Sequence, residues 1–282
     1  MINKNIIVTG GSKGIGFEIS KSILKNNNVI IVSSNQINLD NAKKELDKLE
    51  NKGKCYFYKL DISNIDDVDI FMNWIKNNFE NIHGLVNCAG IYGPIGKTNE
   101  IDLNYFQKTI NINFLGTVYM TTKFINLYNN VSYKRKIIIF SGGGTSSIFP
   151  NYTAYSTSKI SLVKFAENLS NELKDDNVDI NCISPGFIIT DIHKETLKNG
   201  EKIVGKNFYN KTLENIKKGG DPIEKPVNLT NFLLSSKSDN ISGKLISAIW
   251  DPWENKDFQE LLKTDIDIAT LKRIDKKYFD RI

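Results

Sequence analysis

The chain has 282 residues, of which 40% are hydrophobic and 24% are charged, and its formal net charge is +5. This composition is typical of a globular protein with a full core, and no stretch of about 20 apolar residues predicts a membrane span. The basic residues are scattered along the chain rather than clustered, so the positive charge does not predict nucleic-acid binding.

The cysteines and histidines exclude two further kinds of site. Cys55, Cys88 and Cys182 form no CxxC pair, and only His83 and His193 could join them. We therefore predict neither a disulfide framework nor a metal site. The N-terminus runs into an apolar segment without the long hydrophobic stretch of a signal peptide, so we expect a cytoplasmic protein.

Seven short runs rich in β-branched residues have the length of buried strands. They are IIVTG at 6–10, VIIVSS at 29–34, CYFYKLD at 55–61, LVNCAG at 85–90, KIIIFSG at 136–142, DINCISPG at 179–186 and KLISAIW at 244–250. Between them, apolar residues recur every three or four positions, as in the segments from Phe17 and Val68, which predicts helices. This alternation favours a parallel sheet covered by helices on both faces.

The first strand leads into the segment TGGSKGIG, from Thr9 to Gly16. Gly10 suits a tight turn, Gly14 lets a diphosphate approach the backbone, and Gly16 permits close packing. The N–H groups at the start of the following helix would face that anion. Taken alone, the glycine triplet could equally be an ordinary turn between a strand and a helix.

Five further motifs occur in a recognisable order along the chain. LDIS at 60–63, NCAG at 87–90, INFLG at 112–116, YSTSK at 155–159 and SPG at 184–186 follow the glycine turn. Over residues 4–248 the chain resembles the short-chain dehydrogenase/reductase family, of the single-domain type related to ketoacyl reductases and sugar or polyol dehydrogenases. The resemblance implies a Rossmann-like, doubly wound three-layer α/β/α fold with a mainly parallel seven-stranded sheet.

Tyr155 and Lys159 are four residues apart, so on a helix both side chains project from one face. A nearby ammonium group and a cationic nicotinamide would lower the pKa of the Tyr155 phenol, which could then exchange a proton with a substrate oxygen. The resemblance implies that Asn113 holds a helix bulge open and supports proton relay. The family's serine would stand thirteen residues before Tyr155, where this chain has Gly142, and Ser141 is the nearest substitute.

The resemblance also implies a cofactor site for NAD or NADP. It assigns the cofactor contacts to Gly10, Ser12, Lys13, Gly14, Ile15, Gly16, Ser34, Asp61, Ile62, Asn87, Ala89, Gly90, Tyr155, Lys159, Pro185, Gly186, Ile188 and Thr190. Asp61 would contact adenine or cap the next helix. Because Ser34 places no carboxylate at the end of the second strand and Lys13 could pair with a 2′-phosphate, we favour NADP.

The family's lid over the substrate would span about residues 187–225. Seven lysines at 194–218 favour an anionic small-molecule substrate, such as a sugar phosphate or nucleotide sugar, or simply reflect the chain's lysine bias. We divide the chain into a cofactor-binding domain at 1–250 and a tail at 251–282 that packs on the domain or at a subunit interface. The resemblance implies a homodimer or homotetramer.

The expected activity is interconversion of a secondary alcohol and a ketone, with a role in surface-polysaccharide biosynthesis as one setting. A sugar epimerase or dehydratase with tightly bound NAD is a second hypothesis. A third is a regulatory protein that senses the dinucleotide without turnover.

Overall fold

The computed structural model describes residues 4–50, 53–128 and 131–273. Its centre is a seven-stranded sheet in which every neighbouring pair of strands is parallel. The strands are β1 Asn5–Thr9, β2 Asn28–Ser33, β3 Cys55–Lys59, β4 Gly84–Asn87, β5 Arg135–Phe140, β6 Val178–Ser184 and β7 Leu245–Ser247. All seven predicted strands are present, although β7 stops at Ser247 rather than at Trp250.

Helices connect the strands. They are α1 Gly14–Leu24, α2 Gln36–Leu46, α3 Ile65–Asn78, α4 Leu103–Ile110, α5 Gly116–Ile125, α6 Thr153–Glu172, α7 Asp191–Val204, α8 Lys206–Lys217, α9 Glu224–Leu234 and α10 Lys256–Thr264. A π-helix, Asn111–Leu115, joins α4 to α5, and a short 3-10 helix, Ser236–Ser238, precedes β7. No helix in the described ranges is long and apolar enough to cross a membrane.

The strand order is β3-β2-β1-β4-β5-β6-β7. The chain therefore winds in one direction from β1 to β3 and in the other from β4 to β7. In open parallel sheets, ligands bind in the crevice at the carboxyl ends of the strands where the order reverses. Here that crevice lies between β1 and β4.

Two apolar clusters cover the two faces of the sheet, as the predicted three-layer fold requires. On one face α3, α5 and α6 bury residues such as Phe71, Phe124 and Leu162. On the other face α1, α2 and α9 bury residues such as Ile19 and Leu233. Strands buried on both faces read as continuous apolar runs, which is why VIIV in β2 and IIIF in β5 show no alternation.

The segment after β7 adds to the second cluster. The Trp253 side chain is buried, and its Nε1 donates to the Ala248 carbonyl at 3.1 Å. Leu262 on α10 is buried in the same cluster, as its amphipathic spacing predicts. The Lys244 ammonium donates to the carbonyls of Asp265 and Ile268, at 2.7 and 2.9 Å, which fixes the chain after α10 to the sheet. The predicted tail extends beyond the described residues.

Candidate functional site

The turn between β1 and α1 is shaped by close backbone approaches. Gly10 and Gly14 both have positive φ values, of 65° and 57°, which favour glycine. A Cβ atom on Gly10 would lie 2.8 Å from the Ala89 Cα, and one on Gly16 would overlap the Gly10 carbonyl oxygen. The turn therefore packs directly against the segment that follows β4.

This turn leaves helix α1 open at its N-terminus. Lys13 is the N-cap residue, and its side chain makes no capping hydrogen bond. The Lys13 side chain thus satisfies none of the first N–H groups of α1, and such groups favour an anion. Ser12 is buried in the turn, and Ile15 packs into the apolar cluster beneath it. The arrangement fits the diphosphate of a dinucleotide cofactor.

The far end of the crevice lies at the ends of β2 and β3. An open depression there is lined by Ser34, Tyr58, Lys59, Leu60, Asp61, Asp67 and Ile70. The Asp61 carboxylate accepts hydrogen bonds from the Ser63 N–H at 3.0 Å and the Ser63 hydroxyl at 2.7 Å. Asn64, not Asp61, caps helix α3. Ser34 is exposed at the rim, and Ile62 is buried against Gly116.

The segment after β4 forms the middle of the crevice. The Thr9 hydroxyl oxygen accepts hydrogen bonds from the N–H groups of Cys88 and Ala89, at 3.2 and 3.3 Å. Asn87 is buried, and its amide donates to the Thr121 hydroxyl at 3.1 Å. A Cβ atom on Gly90 would lie 3.3 Å from the Asn113 Oδ1 and 3.4 Å from the Lys159 Nζ. Gly90 therefore adjoins both predicted catalytic side chains.

Asn113 lies in the π-helix, so the predicted helix bulge is present. Its buried side-chain amide accepts from the Ile91 N–H at 2.9 Å and donates to the Ile91 carbonyl at 2.8 Å. It also donates to the Ser158 hydroxyl at 3.0 Å. These bonds tie the crevice segment to helix α6, one turn from Tyr155. A π-bulge of this kind often marks a functional site.

Tyr155 and Lys159 lie on α6 and are both buried. The Lys159 Nζ lies 5.7 Å from the centroid of the Tyr155 ring and donates to the Phe140 carbonyl at 2.8 Å. The predicted shared face of the helix is therefore observed. The ammonium group lies over the ring rather than against the phenol oxygen.

The pKa values of this pair are governed by burial. Burial raises the pKa of the Tyr155 phenol, and the neighbouring Cys88 thiol raises it further. Burial also lowers the pKa of Lys159 to about 8. The expected lowering of the Tyr155 pKa depends on the cationic nicotinamide as well as on Lys159 and stays a prediction for the loaded protein; in the protein alone burial acts in the opposite direction, because desolvation disfavours the phenolate. At neutral pH the phenol carries its proton.

The Tyr155 hydroxyl occupies the space that a side chain at position 142 would take. A Cβ atom on Gly142 would overlap the Tyr155 hydroxyl. The Ser141 hydroxyl lies 2.7 Å from the Thr145 hydroxyl, which donates to the Gly142 carbonyl at 2.5 Å. Ser141 is buried within this chain of hydrogen bonds, so its proton is committed to Thr145. The structure does not bring the Ser141 hydroxyl to the Tyr155 phenol.

Aromatic rings pack around Tyr155. Tyr92 meets the Tyr155 ring edge to face, with centroids 4.8 Å apart, and meets Tyr152 at 5.1 Å. Phe149 stacks on Tyr152 at 4.4 Å, and Phe208 from helix α8 meets both. The Tyr152 hydroxyl bonds the Thr196 hydroxyl of α7 at 2.8 Å. The lid thus closes an apolar cluster beside the phenol.

The lid begins after β6, where the backbone at Gly186 packs closely against the Asp221 carboxylate. Gly186 has a φ of 87°, and a Cβ atom there would lie 2.7 Å from the Asp221 carboxylate. That carboxylate accepts from the Phe187 N–H at 2.7 Å. Ile188 is buried, and Thr190 is the N-cap residue of α7 and lies next to Gly14. Pro185 is part of the same connection.

The lysines of the lid face solvent. All seven are exposed: Lys194, Lys198, Lys202, Lys206, Lys211, Lys217 and Lys218. Lys194 forms an ion pair with Asp191 at 2.6 Å. These lysines do not line the aromatic pocket.

Four features escaped the sequence-based prediction. They are the contact between Gly142 and Tyr155, the Tyr92 ring, Lys59 at the adenine end and His193 on the lid. Helical spacing did carry a signal for His193, because His193 and Thr196 are three apart on the buried face of α7 while Lys194 and Lys198 share its exposed face before the kink at Gly200. In the described ranges, no group of three or more His, Cys, Asp or Glu side chains could hold a metal ion.

Comparison with known proteins agrees with this geometry. Residues 4–201 match the family model for short chain dehydrogenases. The chain is 32% identical over 185 residues to 3-dehydrosphinganine reductase from Danio rerio, covering 64% of this chain and 55% of that protein. It is 29% identical over 252 residues to 3-oxoacyl-[acyl-carrier-protein] reductase from Chlamydia muridarum, covering 88% and 96%. The chain thus spans about half the length of the first of these relatives.

Solved structures share the fold. Levodione reductase superposes with a TM-score of 0.78 at 19% identity, covering 90% of this chain and 98% of that one. A short-chain type dehydrogenase/reductase from Mycobacterium ulcerans gives a TM-score of 0.77 at 23% identity, covering 88% of each chain. At these identities the likeness concerns the fold alone.

Proposed function

Because the chain belongs to the short-chain dehydrogenase/reductase family, we propose that it is an NADPH-dependent reductase that converts a ketone into a secondary alcohol. The observation that carries the proposal is the buried pair of Tyr155 and Lys159, placed beside an aromatic cluster at the carboxyl ends of the strands. Named relatives act in the same chemical class: they are reductases of keto or oxo compounds.

The cofactor supplies the hydride when it is bound. Its diphosphate would lie at the start of α1 against Gly10, Gly14 and Gly16. Tyr155 donates its phenolic proton to the substrate oxygen, and the raised pKa of the phenol keeps that proton in place at neutral pH. The Lys159 ammonium then stabilises the phenolate that remains. Asn113 keeps the Ile91 backbone in position through its two hydrogen bonds.

The preference for NADPH over NADH rests on charge at the end of β2. Ser34 is neutral and exposed, so at this position no carboxylate repels a 2′-phosphate or holds a 2′-hydroxyl; the carboxylates of the same depression are Asp61 and Asp67. Lys59 lines the same depression. Lys13 lies close to the lid carboxylates: the pKa of Asp191 is lowered mainly by Lys194 and further by Lys13. Lys59 therefore joins Lys13 as a candidate partner of the phosphate.

The surroundings of Tyr155 favour an apolar ketone. The cluster beside it consists of the rings of Tyr92, Phe149, Tyr152 and Phe208, while the lid lysines are exposed to solvent. The sugar phosphate or nucleotide sugar predicted from those lysines is the rival substrate class. A homodimer or homotetramer in the cytoplasm remains our expectation for the assembly and its location.

The proposal is tested by following NADPH absorbance with the purified protein. The panel contains cyclic and aryl ketones, a 3-oxoacyl thioester and keto-sugar nucleotides, each offered also with NADH. We expect oxidation of NADPH with the apolar ketones and its loss in Tyr155→Phe. Oxidation with keto-sugar nucleotides alone would overturn the proposed substrate class. No Tyr155-dependent oxidation across the panel would overturn the reductase itself and favour a role in dinucleotide sensing.

A further inference from the structure

His193 lies on helix α7 of the lid and is buried. Among the described residues, its ring nitrogen Nδ1 has no hydrogen-bond partner. The ring is 8% exposed, and its Nδ1 makes no hydrogen bond. An unpaired buried polar atom costs free energy unless a ligand or water satisfies it. The ring therefore has unused hydrogen-bonding capacity at a position the reductase chemistry does not account for.

The ring lies at the edge of the aromatic cluster that packs around Tyr155. It packs on Phe187 with centroids 4.1 Å apart, and Phe187 belongs to the connection after β6 that leads into the lid. On its other side it meets the Tyr92 ring edge to face at 6.2 Å. Tyr92 in turn contacts the Tyr155 ring at 4.8 Å. His193 and the proton donor thus share the Tyr92 ring as a common neighbour.

The imidazole is neutral at physiological pH. Burial lowers the pKa of His193 to about 4, since the surrounding rings solvate a cation poorly. A neutral imidazole has one nitrogen that donates and one that accepts. It can bond a substrate hydroxyl or carbonyl without demanding a charge, which matches an otherwise apolar pocket.

We propose that His193 binds a second oxygen of the substrate, apart from the carbonyl that Tyr155 protonates, with the Tyr92 ring as the neighbour that both side chains share. This assignment rests on the proposed reductase function and deepens it: the substrate class is an apolar ketone carrying a second hydroxyl or carbonyl group. A site built to bond a polar group discriminates against analogues that lack it, because its own polar atom is then left unpaired. The unpaired Nδ1 would thereby set substrate specificity.

The first test uses a matched pair of probes, 1,4-cyclohexanedione and cyclohexanone, which differ only in the second oxygen. We compare kcat/KM for both in the wild type, His193→Leu, His193→Asn and His83→Gln. His83 is the other histidine of the chain and lies outside the site, where its Nδ1 accepts from the Asn5 N–H. Thermal unfolding and NADPH binding, measured by fluorescence, establish that each variant is folded and loaded.

We expect His193→Leu to reduce the preference for the diketone by about 10- to 100-fold, the size of a lost buried hydrogen bond. His193→Asn should restore part of that preference, since its amide branches at the same carbon as the imidazole. His83→Gln should leave the preference unchanged. If the wild type reduces both ketones and His193→Leu keeps the same preference, the role of His193 is overturned while the reductase function stands.

The second test does not depend on turnover. Because the chain contains only two histidines, labelling the imidazole nitrogens with 15N gives two sets of resonances, assigned with His83→Gln. The wild type is loaded with NADP+, which cannot reduce the probe, and titrated with 1,4-cyclohexanedione. Movement of the His193 resonances alone supports the proposal, even where no reduction is seen. Saturable binding without movement at His193 overturns it, and absence of both binding and reduction overturns both claims for this substrate class.

Discussion

The two ends of the crevice are built by different means. At the cofactor end, the decisive features belong to the backbone: positive φ values at Gly10 and Gly14 and an uncapped start of helix α1. At the catalytic end, the decisive features are buried side chains, namely Tyr155, Lys159, Asn113 and the surrounding rings. A site formed by backbone groups is little affected by substitution of the side chains around it. A site formed by packed side chains is affected by the substitution of each of them.

The largest effect should come from Tyr155, whose hydroxyl carries the proton at the catalytic end. We expect Tyr155→Phe to lower kcat for ketone reduction by about 10³-fold, within the range of general acid catalysis. Because the phosphate turn is untouched, NADPH binding measured by fluorescence should be unchanged. Residual activity within a few-fold of the wild type would remove Tyr155 from its assigned role.

Gly142→Ser tests whether the serine missing from its expected position can simply be restored. The new Cβ would overlap the Tyr155 hydroxyl and displace it, and a displacement of about 1 Å can cost roughly 100-fold in rate. We therefore expect a loss of kcat of about 100-fold, and a similar loss in Gly142→Ala. Gly143→Ala, whose Cβ would meet only the Phe149 ring at 3.2 Å, is the matched control. A gain of activity in Gly142→Ser would show that the pocket readily accepts the family's serine.

The backbone end and the spacing of Tyr155 and Lys159 could be predicted from the sequence because both depend on local order. A glycine turn after a strand and two residues four apart on a helix hold their geometry in many contexts. The absence of serine at Gly142 was likewise found by counting residues. Its occupant was not, since the position of the Tyr155 hydroxyl depends on packing against Tyr92, which is far away along the chain.

The lid contains two patterns that the sequence carries: a series of lysines and the helical spacing of His193 and Thr196. Its lysines predicted an anionic substrate, yet Lys194 and Lys198 lie on the exposed face of α7. The helical period that exposes them buries His193 and Thr196. The pKa of Tyr155 could not be predicted from a motif, because desolvation is a property of the packed site.

Lys159 carries a stability cost that a pH series can measure. Its pKa falls from 10.5 to about 8 on burial. Below pH 8 the folded and unfolded chains both hold the proton, and the full cost of burying the charge is present. Between about pH 8 and 10.5 the unfolded chain holds more protons, so the stability of the wild type rises with pH.

Lys159→Met removes that charge from the buried end of the crevice. At pH 7, without cofactor, we expect the variant to exceed the wild type in free energy of unfolding by up to about 3 kcal/mol, the equivalent of the pKa shift. The difference should shrink as the pH approaches 10, while reductase activity is lost throughout. Urea denaturation at pH 7, 8.5 and 10 measures it. A gap that does not change with pH would mean that the Lys159 charge is not what destabilises the fold.

The smallest expected effect concerns Lys59, a side chain to which we assign a role in cofactor binding. Lys59 pairs in register with Ser33 and lines the depression that also contains Ser34 and Asp61. If its ammonium meets the 2′-phosphate, Lys59→Gln should weaken NADP+ binding by about tenfold, the worth of one charge-assisted hydrogen bond. NAD+ lacks that phosphate, so its Kd should change little.

Two controls separate this contact from the general charge of a lysine-rich chain. Lys54 is exposed just before the opposite end of β3, and Lys54→Gln should leave both Kd values unchanged. Lys13 lies near the carboxylates of Asp191 and Glu195 on the lid, so part of its charge is already compensated and Lys13→Gln should cost less than Lys59→Gln. Calorimetric titration of NADP+ and NAD+ gives all eight values for the wild type and these variants. If Lys59→Gln weakened the binding of NADP+ and NAD+ equally, the assigned contact would be wrong. The lysine would then act on the shared diphosphate or on folding rather than on the 2′-phosphate, and the features that decide cofactor binding would all belong to the backbone.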